Sequence, residues 1–145
     1  METNTQTGKK TLVFYRAKNG TLLDKLVAWL DGGPHSHVEI LDTEFGGYLL
    51  TYGAHLGRGS VSRGIYNPEE CDFYVVNSDI DLEAFYKKTE GEAYRVWAAM
   101  RAKWNWLPDF GGWCCSTWIA AALGLPGFKF FKVSQICEWA KANKG

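Results

Sequence analysis

Two cysteines stand side by side in "GWCCSTWIAAALGL" (residues 112–125), directly before a run of small and apolar residues. A thiol in the first turn of a helix meets the positive end of the helix dipole and backbone N–H groups that lack intrahelical partners, and both favour the thiolate. The same N–H groups can hold an oxyanion, and Gly111 and Gly112 before Trp113 let the backbone come close to a substrate. Neighbouring residues at a helix start point about 100° apart, so only one of Cys114 and Cys115 can face a cleft. A nucleophilic cysteine needs a histidine base, and the base needs an acceptor to orient it. Of the three histidines, His35, His37 and His55, His37 sits two residues before Glu39 in "HSHVEI", so in a strand the two side chains share one face.

The alternative for each part is plain packing, since free cysteine is among the most buried residue types. A metal site has little support: there is no Cys-x-x-Cys and no pair of histidines at helical spacing, so no metal or cofactor is expected. A Cys114–Cys115 disulfide would need a strained ring. "GAHLGRGS" lacks the Gly-Lys-Ser/Thr ending of a phosphate loop.

Elements must carry these residues. "TLVFYRA" (residues 11–17) reads as a strand that stops at "KNG". Thr21 can cap a helix in which Leu22, Leu23, Leu26, Val27 and Leu30 recur at helical spacing up to "DGGP". Residues 36–42 and 48–54 are strand-like, with "TEFGG" between them as an antiparallel hairpin connection. A Gly-rich stretch from Gly53 to Asn67 reads as loop plus short strand, and residues 71–79 as another strand. Helices are expected in "LEAFYKKTEG" after Asp81, in "EAYRVWAAMRAKW", in "CCSTWIAAALG" closed by Gly124 and Pro126, and in "SQICEWAKANK". The order β, α, several strands, then helices is that of an α+β domain with a central antiparallel sheet packed by helices.

The chain of 145 residues fits one domain over 11–145, long enough to bury roughly 70% of its unfolded surface, behind a flexible polar tail over 1–10. Sixteen basic and sixteen acidic side chains cancel, so no global field draws the chain to nucleic acid or an anionic membrane. No apolar run of about 18 residues or secretory segment appears, so a cytoplasmic protein with no membrane span is expected. Cys71 and Cys137 then read as buried structural thiols.

"HSHVEI" followed later by "GWCCSTWIAAALGL" resembles the circularly permuted branch of the NlpC-type, papain-like clan, in which a "sHvEl" strand precedes a "fCSe" helix. The match is to small proteins of phages and bacteria and runs from about residue 11 to 139. It implies a papain-like fold, permuted so that the His strand comes before the Cys helix. Cys115, directly before Ser116, takes the nucleophile's place, His37 that of the base and Glu39 that of the polar third member. Cys114 stands where an aromatic or aliphatic residue is usual, and Thr117 where an acid often follows "CS". Tyr94 in "GEAYR" matches the tyrosine of a "G-x-Y-D" motif, with Arg95 in place of the aspartate, and "GRGSVSRG" resembles a Ser/Arg-rich segment between the family's strands.

The resemblance implies a hydrolase (peptidase or amidase) or acyltransferase acting on a peptide, amide, ester or thioester carbonyl through Cys115, His37 and Glu39, without a cofactor. Tyr94 is expected to line the cleft or pack in the core. Arg58 and Arg63 are expected to bind an acidic substrate group or to be solvated. Trp104, Trp106, Trp113 and Trp118 read as core, with Trp106 and Trp113 also able to wall a groove. His35 reads as a rim residue and His55 as a loop histidine or an outer neighbour of the site. The alternative function is a non-catalytic, phage-encoded binding protein on the same fold that engages a host protein in the host cytoplasm.

Overall fold

The structure, a computed structural model, describes residues 8–145 apart from Gly32, Leu56, Gly57, Asn105, Asp109 and Phe110, and only the backbone of Leu23 and Leu30. The chain runs β1 (Gly8–Arg16), α1 (Leu22–Asp31), β2 (His35–Phe45), β3 (Tyr48–His55), β4 (Ser60–Tyr66), β5 (Cys71–Ser78), α2 (Leu82–Thr89), α3 (Val96–Lys103), α4 (Cys115–Ala122) and α5 (Val133–Ala142). The strands form one antiparallel sheet in the order β4-β3-β2-β1-β5, so the α+β class with an antiparallel sheet is what forms.

β2 and β3 pair from Phe45↔Tyr48 inward, which leaves only Gly46 and Gly47 in the connection. Their φ values of 59° and 82° are left-handed at both central positions, the geometry whose twist matches the flanking strands. The hairpin is therefore tighter than the five-residue connection read from "TEFGG", because Thr43, Glu44 and Phe45 stay in the ladder.

Alternation along the strands divides the sheet into two faces. Leu12, Phe14, Val38, Ile40, Tyr52 and Ala54 pack against Trp118 and Ile119 of α4 and Ile136 of α5 to make the main core. The opposite face carries Val13, Leu41, Leu49 and Cys71, with Tyr15 and Tyr66 against them. That second face is concave. β1 and β4 are separated by β2 and β3, about 14 Å in a flat sheet, yet the rings of Tyr15 and Tyr66 come within 5.8 Å. The coil of the sheet gives Glu39 and Thr51 a buried place on a face that would otherwise meet water.

Both outer strands have their free edges met by short segments. Val61 N–H donates to the Glu92 carbonyl at 2.9 Å and Gly91 N–H donates to the Val61 carbonyl at 2.9 Å. On the other side Gly145 N–H donates to the Val75 carbonyl at 2.9 Å. Residues 93–95 then turn to Trp113, with Trp113 N–H donating to the Ala93 carbonyl (3.0 Å) and Arg95 N–H to the Trp113 carbonyl (2.8 Å).

Several expectations need correction. Gly8, Lys9 and Lys10, read as tail, are strand residues paired with β5, because the ladder continues past the apolar run; residues 1–7 lie outside the described part. The Gly-rich stretch holds a full seven-residue strand, β4. α3 starts at Val96, four residues late, since 92–95 are held by β4 and Trp113. α1 forms where its spacing places it, with Asp24 N–H bonded to Thr21 Oγ1 and Thr21 N–H to Asp24 Oδ2. Its apolar stripe is not wholly buried, however: Leu22 is 83% and Leu26 50% exposed. Trp118 is core as expected, whereas Trp104 and Trp106 are exposed and Trp113 is half-buried. Among the described residues no helix is long and apolar enough to cross a membrane.

Candidate functional site

The concave face gathers a polar cluster around one carboxylate. Glu39, on β2, is 1% exposed and accepts hydrogen bonds on both oxygens. Thr51 Oγ1, from β3, donates to Oε1 at 2.5 Å, and Tyr66 OH, from β4, donates to Oε2 at 2.5 Å. His37 Nε2 lies 2.5 Å from Oε2, and His55 Nε2, at the end of β3, lies 2.6 Å from the same atom. The His37 ring stacks on Tyr66 with centroids 5.9 Å apart and stands 5.5 Å from the His55 ring. Glycine makes the approach possible: a Cβ on Gly53 would stand 2.8 Å from Glu39 Cγ, so the side chain lies on bare backbone.

The electrostatics follow from this packing. Burial opposes charge on Glu39, but His37, by charge and hydrogen bonding, and then the neighbouring His55 ring hold the carboxyl far below its ordinary range. Burial likewise disfavours a charged His37 ring. Against it act the charge of Cys115, the charge of Glu39 and hydrogen bonds to both, and they push the ring up to about 10. With Nε2 on Glu39, the nitrogen left to face the thiol is Nδ1. Tyr66 is driven far above the usual phenol range by burial and then by Glu39, so it stays a donor.

Cys115 is the first residue of α4 and Cys114 its N-cap. Thr117 Oγ1 accepts from the Cys114 N–H at 3.0 Å, and the Cys114 sulfur lies 3.4 Å from both Ser116 Oγ and Thr117 Oγ1. Both cysteines line the same cleft, contrary to the expectation that only one can face it, but Cys114 is held by these hydroxyls, and burial followed by the charge of Cys115 raises its thiol. Thr117 closes the helix start through these bonds to the Cys114 backbone and sulfur. Tyr94, brought to the doublet by the backbone bonds to Trp113, is pushed far above its ordinary value by burial and then by the charges of Cys115 and Cys114. Tyr94, Cys115 and Ser116 line a cleft of about 260 Å³ whose other walls are mostly apolar, Val27 from α1, Met100 from α3 and Val133 from α5 among them.

The fold therefore brings Cys115, His37, Glu39 and Tyr94 into one neighbourhood. It does not bring in the arginines: Arg58 is exposed in the turn before β4, and Arg63 points to the other face of β4, where it pairs with Asp42 and lies 5.0 Å from the Tyr52 ring centroid. Trp113 lines a different hollow, of about 280 Å³, and donates through Nε1 to Glu92 Oε1 at 2.9 Å. His35, expected at the rim, is buried and held by Asp72 Oδ2 at 2.7 Å, with Arg16 on the other carboxylate oxygen. His55 is the residue that sequence reasoning undervalued: it is a buried strand residue, not a loop one. Thr51 and Tyr66 were missed altogether, though each lies at even spacing from a residue of the same face.

Spacing gave no metal motif, but folding places one ligand atom each from His37, Glu39 and His55 within 4.8 Å of one another. No family model, no curated protein and no solved structure matches the chain.

Proposed function

We propose that the protein is a cysteine-nucleophile acyl-transfer enzyme, a hydrolase or acyltransferase of permuted papain-like architecture, in which Cys115 attacks a carbonyl, His37 manages the proton and Glu39 holds the ring. The observation that carries this reading is the His37 ring engaged by Glu39 through Nε2 while Cys115 raises its pKa by charge and hydrogen bonding. The order of the site, His strand before Cys helix, fits the permuted arrangement.

The Cys115 thiol gives its proton to His37, whose ring Glu39 holds through Nε2. The Sγ lone pair of Cys115 bonds to the carbonyl carbon, and the carbonyl π pair moves onto oxygen, where the N–H groups of the first turn of α4 stabilise it. Collapse of the tetrahedral species breaks the bond to the leaving group, which takes the proton from His37. Water or an amine, deprotonated by His37, then attacks the thioester and releases the thiol. Tyr94 forms one wall of the cleft, and the apolar walls favour a substrate with an apolar group next to its carbonyl.

Iodoacetamide labelling tests the reading. Cys115 is expected to react at least tenfold faster than Cys71, Cys114 or Cys137 near pH 6, and His37→Ala to slow it by about 10²-fold or more, the usual worth of such a group. Equal slow rates at all four thiols would sink the proposal.

The second reading, a binding protein that engages a partner without catalysis, draws on the exposed Leu22, Trp29 and Trp106. It requires that Cys115→Ala leave function intact.

A further inference from the structure

We infer that His37 Nε2, Glu39 Oε2 and His55 Nε2 form a binding site for a divalent transition-metal ion, zinc above all, whose occupancy stops His37 from accepting the Cys115 proton. Two imidazole nitrogens and a carboxylate oxygen are a donor set that zinc takes readily, and here all three atoms lie within 4.8 Å of one another. The decisive atom is His55 Nε2. It is buried, and although it is 2.6 Å from Glu39 Oε2 it is not aligned to hydrogen-bond there, so a buried nitrogen points into the cluster without a proper partner.

The outer contacts are those of a ligand set. His55 Nδ1 is bonded to Ser62 Oγ at 2.7 Å, which lets Nδ1 carry the ring proton and leaves the Nε2 lone pair facing inward. Thr51 fixes Glu39 through Oε1, leaving Oε2 to the two histidines and Tyr66. Bonds of about 2.0–2.1 Å at tetrahedral angles put ligand atoms about 3.3 Å apart. The present separations from Oε2 are 2.5 and 2.6 Å, so each of these must widen by less than about 1 Å, while the two ring nitrogens, within 4.8 Å of each other, settle at the same ligand spacing. On binding, the proton between His37 and Glu39 leaves to solvent and the metal takes its place.

Cys115 is not one of the three ligands. Metal binding itself is therefore independent of the proposed enzymatic role, and only its consequence, an imidazole whose one proton stays on Nδ1 and which can no longer serve Cys115 as a base, rests on that reading. The test is titration of metal-free protein with Co²⁺ and Zn²⁺. We expect one ion per chain, visible d–d bands for cobalt without thiolate-to-metal charge transfer, unchanged binding in Cys115→Ala, at least a hundredfold loss in His55→Ala and about tenfold in Ser62→Ala. The conservative His55→Gln, with its fold checked by circular dichroism, guards against loss through misfolding.

Absence of stoichiometric binding, retention of full affinity in both His55 variants, or loss of binding in a folded Cys115→Ala protein would each overturn the inference. Labelling of Cys115 in metal-free protein judges the enzymatic reading separately, and equimolar zinc is expected to slow it at least tenfold. Unchanged labelling at saturating zinc would overturn the claim that the metal stops His37 acting as the base.

Discussion

Gly64 and the carboxylate of Glu39 compete for one volume: a Cβ on Gly64 would stand 2.8 Å from Oε1, and also 2.7 Å from His55 Nε2 and 2.8 Å from Thr51 Oγ1. The site thus depends on a residue that contributes no functional group. Gly64→Ala is expected to cost about 1–3 kcal/mol in urea denaturation, the usual scale for forcing atoms into packed space, and to slow Cys115 labelling. Ile65→Ala, next in the strand but pointing outward and exposed, is the comparison and should fall within about 0.5 kcal/mol of the parent. Equal stabilities for the two variants would show that the space around Glu39 is not constrained.

Glu39→Gln keeps the volume but removes the charge to which His37, Thr51 and Tyr66 are bonded. Breaking a buried ion pair typically costs about 3–5 kcal/mol, and the variant should lose stability on that scale. The His37 ring should at the same time titrate lower than in the parent, as followed by its Cε1–H resonance. A ring that titrates unchanged would mean Glu39 does not hold it.

The pH dependence has a definite sign. His37 is raised from 6.5 to about 10, so between those values the folded chain holds a proton that the unfolded chain has released. Its contribution to stability is complete below about 6.5 and is lost as pH climbs through about 10. The difference in unfolding free energy between the parent and His37→Gln should therefore shrink steadily across that window. A difference that is flat or grows with pH would contradict the protonated ring.

The cleft makes a prediction about substrates. Met100 lines it and is partly exposed, so Met100→Glu should fold while placing a charge on the apolar wall. Thioester or ester probes with an apolar acyl chain should acylate this variant about tenfold more slowly, the effect of losing one buried apolar contact, while iodoacetamide, which does not need the wall, reacts as before. Equal loss with both reagents would point to damage at Cys115 itself.

The chemistry-bearing pair His37 and Glu39 was legible because strand alternation is a local rule that needs no tertiary knowledge. Cys115 was legible as a helix start, and the capping by Thr117 fits it. The rest of the cluster was not, because His55, Thr51 and Tyr66 reach Glu39 only through the register of β3 and β4 and the coil of the sheet, both long-range. α1 shows the converse: its spacing correctly gave a helix, but periodicity alone cannot say that Leu22 and Leu26 would remain exposed. For Arg63 spacing left a substrate role and solvation both open, since the face a residue takes in β4 depends on where that strand begins, and the half-exposed pair with Asp42 fits the second.

The segment that seals the edge of β4 has a mechanical consequence. Residues 91–95 bond to Val61 and Gly59 on one side and to Trp113, immediately before the cysteine doublet, on the other. The edge strand of the sheet that holds the imidazoles and the segment leading into the helix that presents the thiol are thus stitched together by five residues of backbone. A single protease nick there would leave the sheet and α4 each with its own packing, while letting the gap between Cys115 and His37 widen.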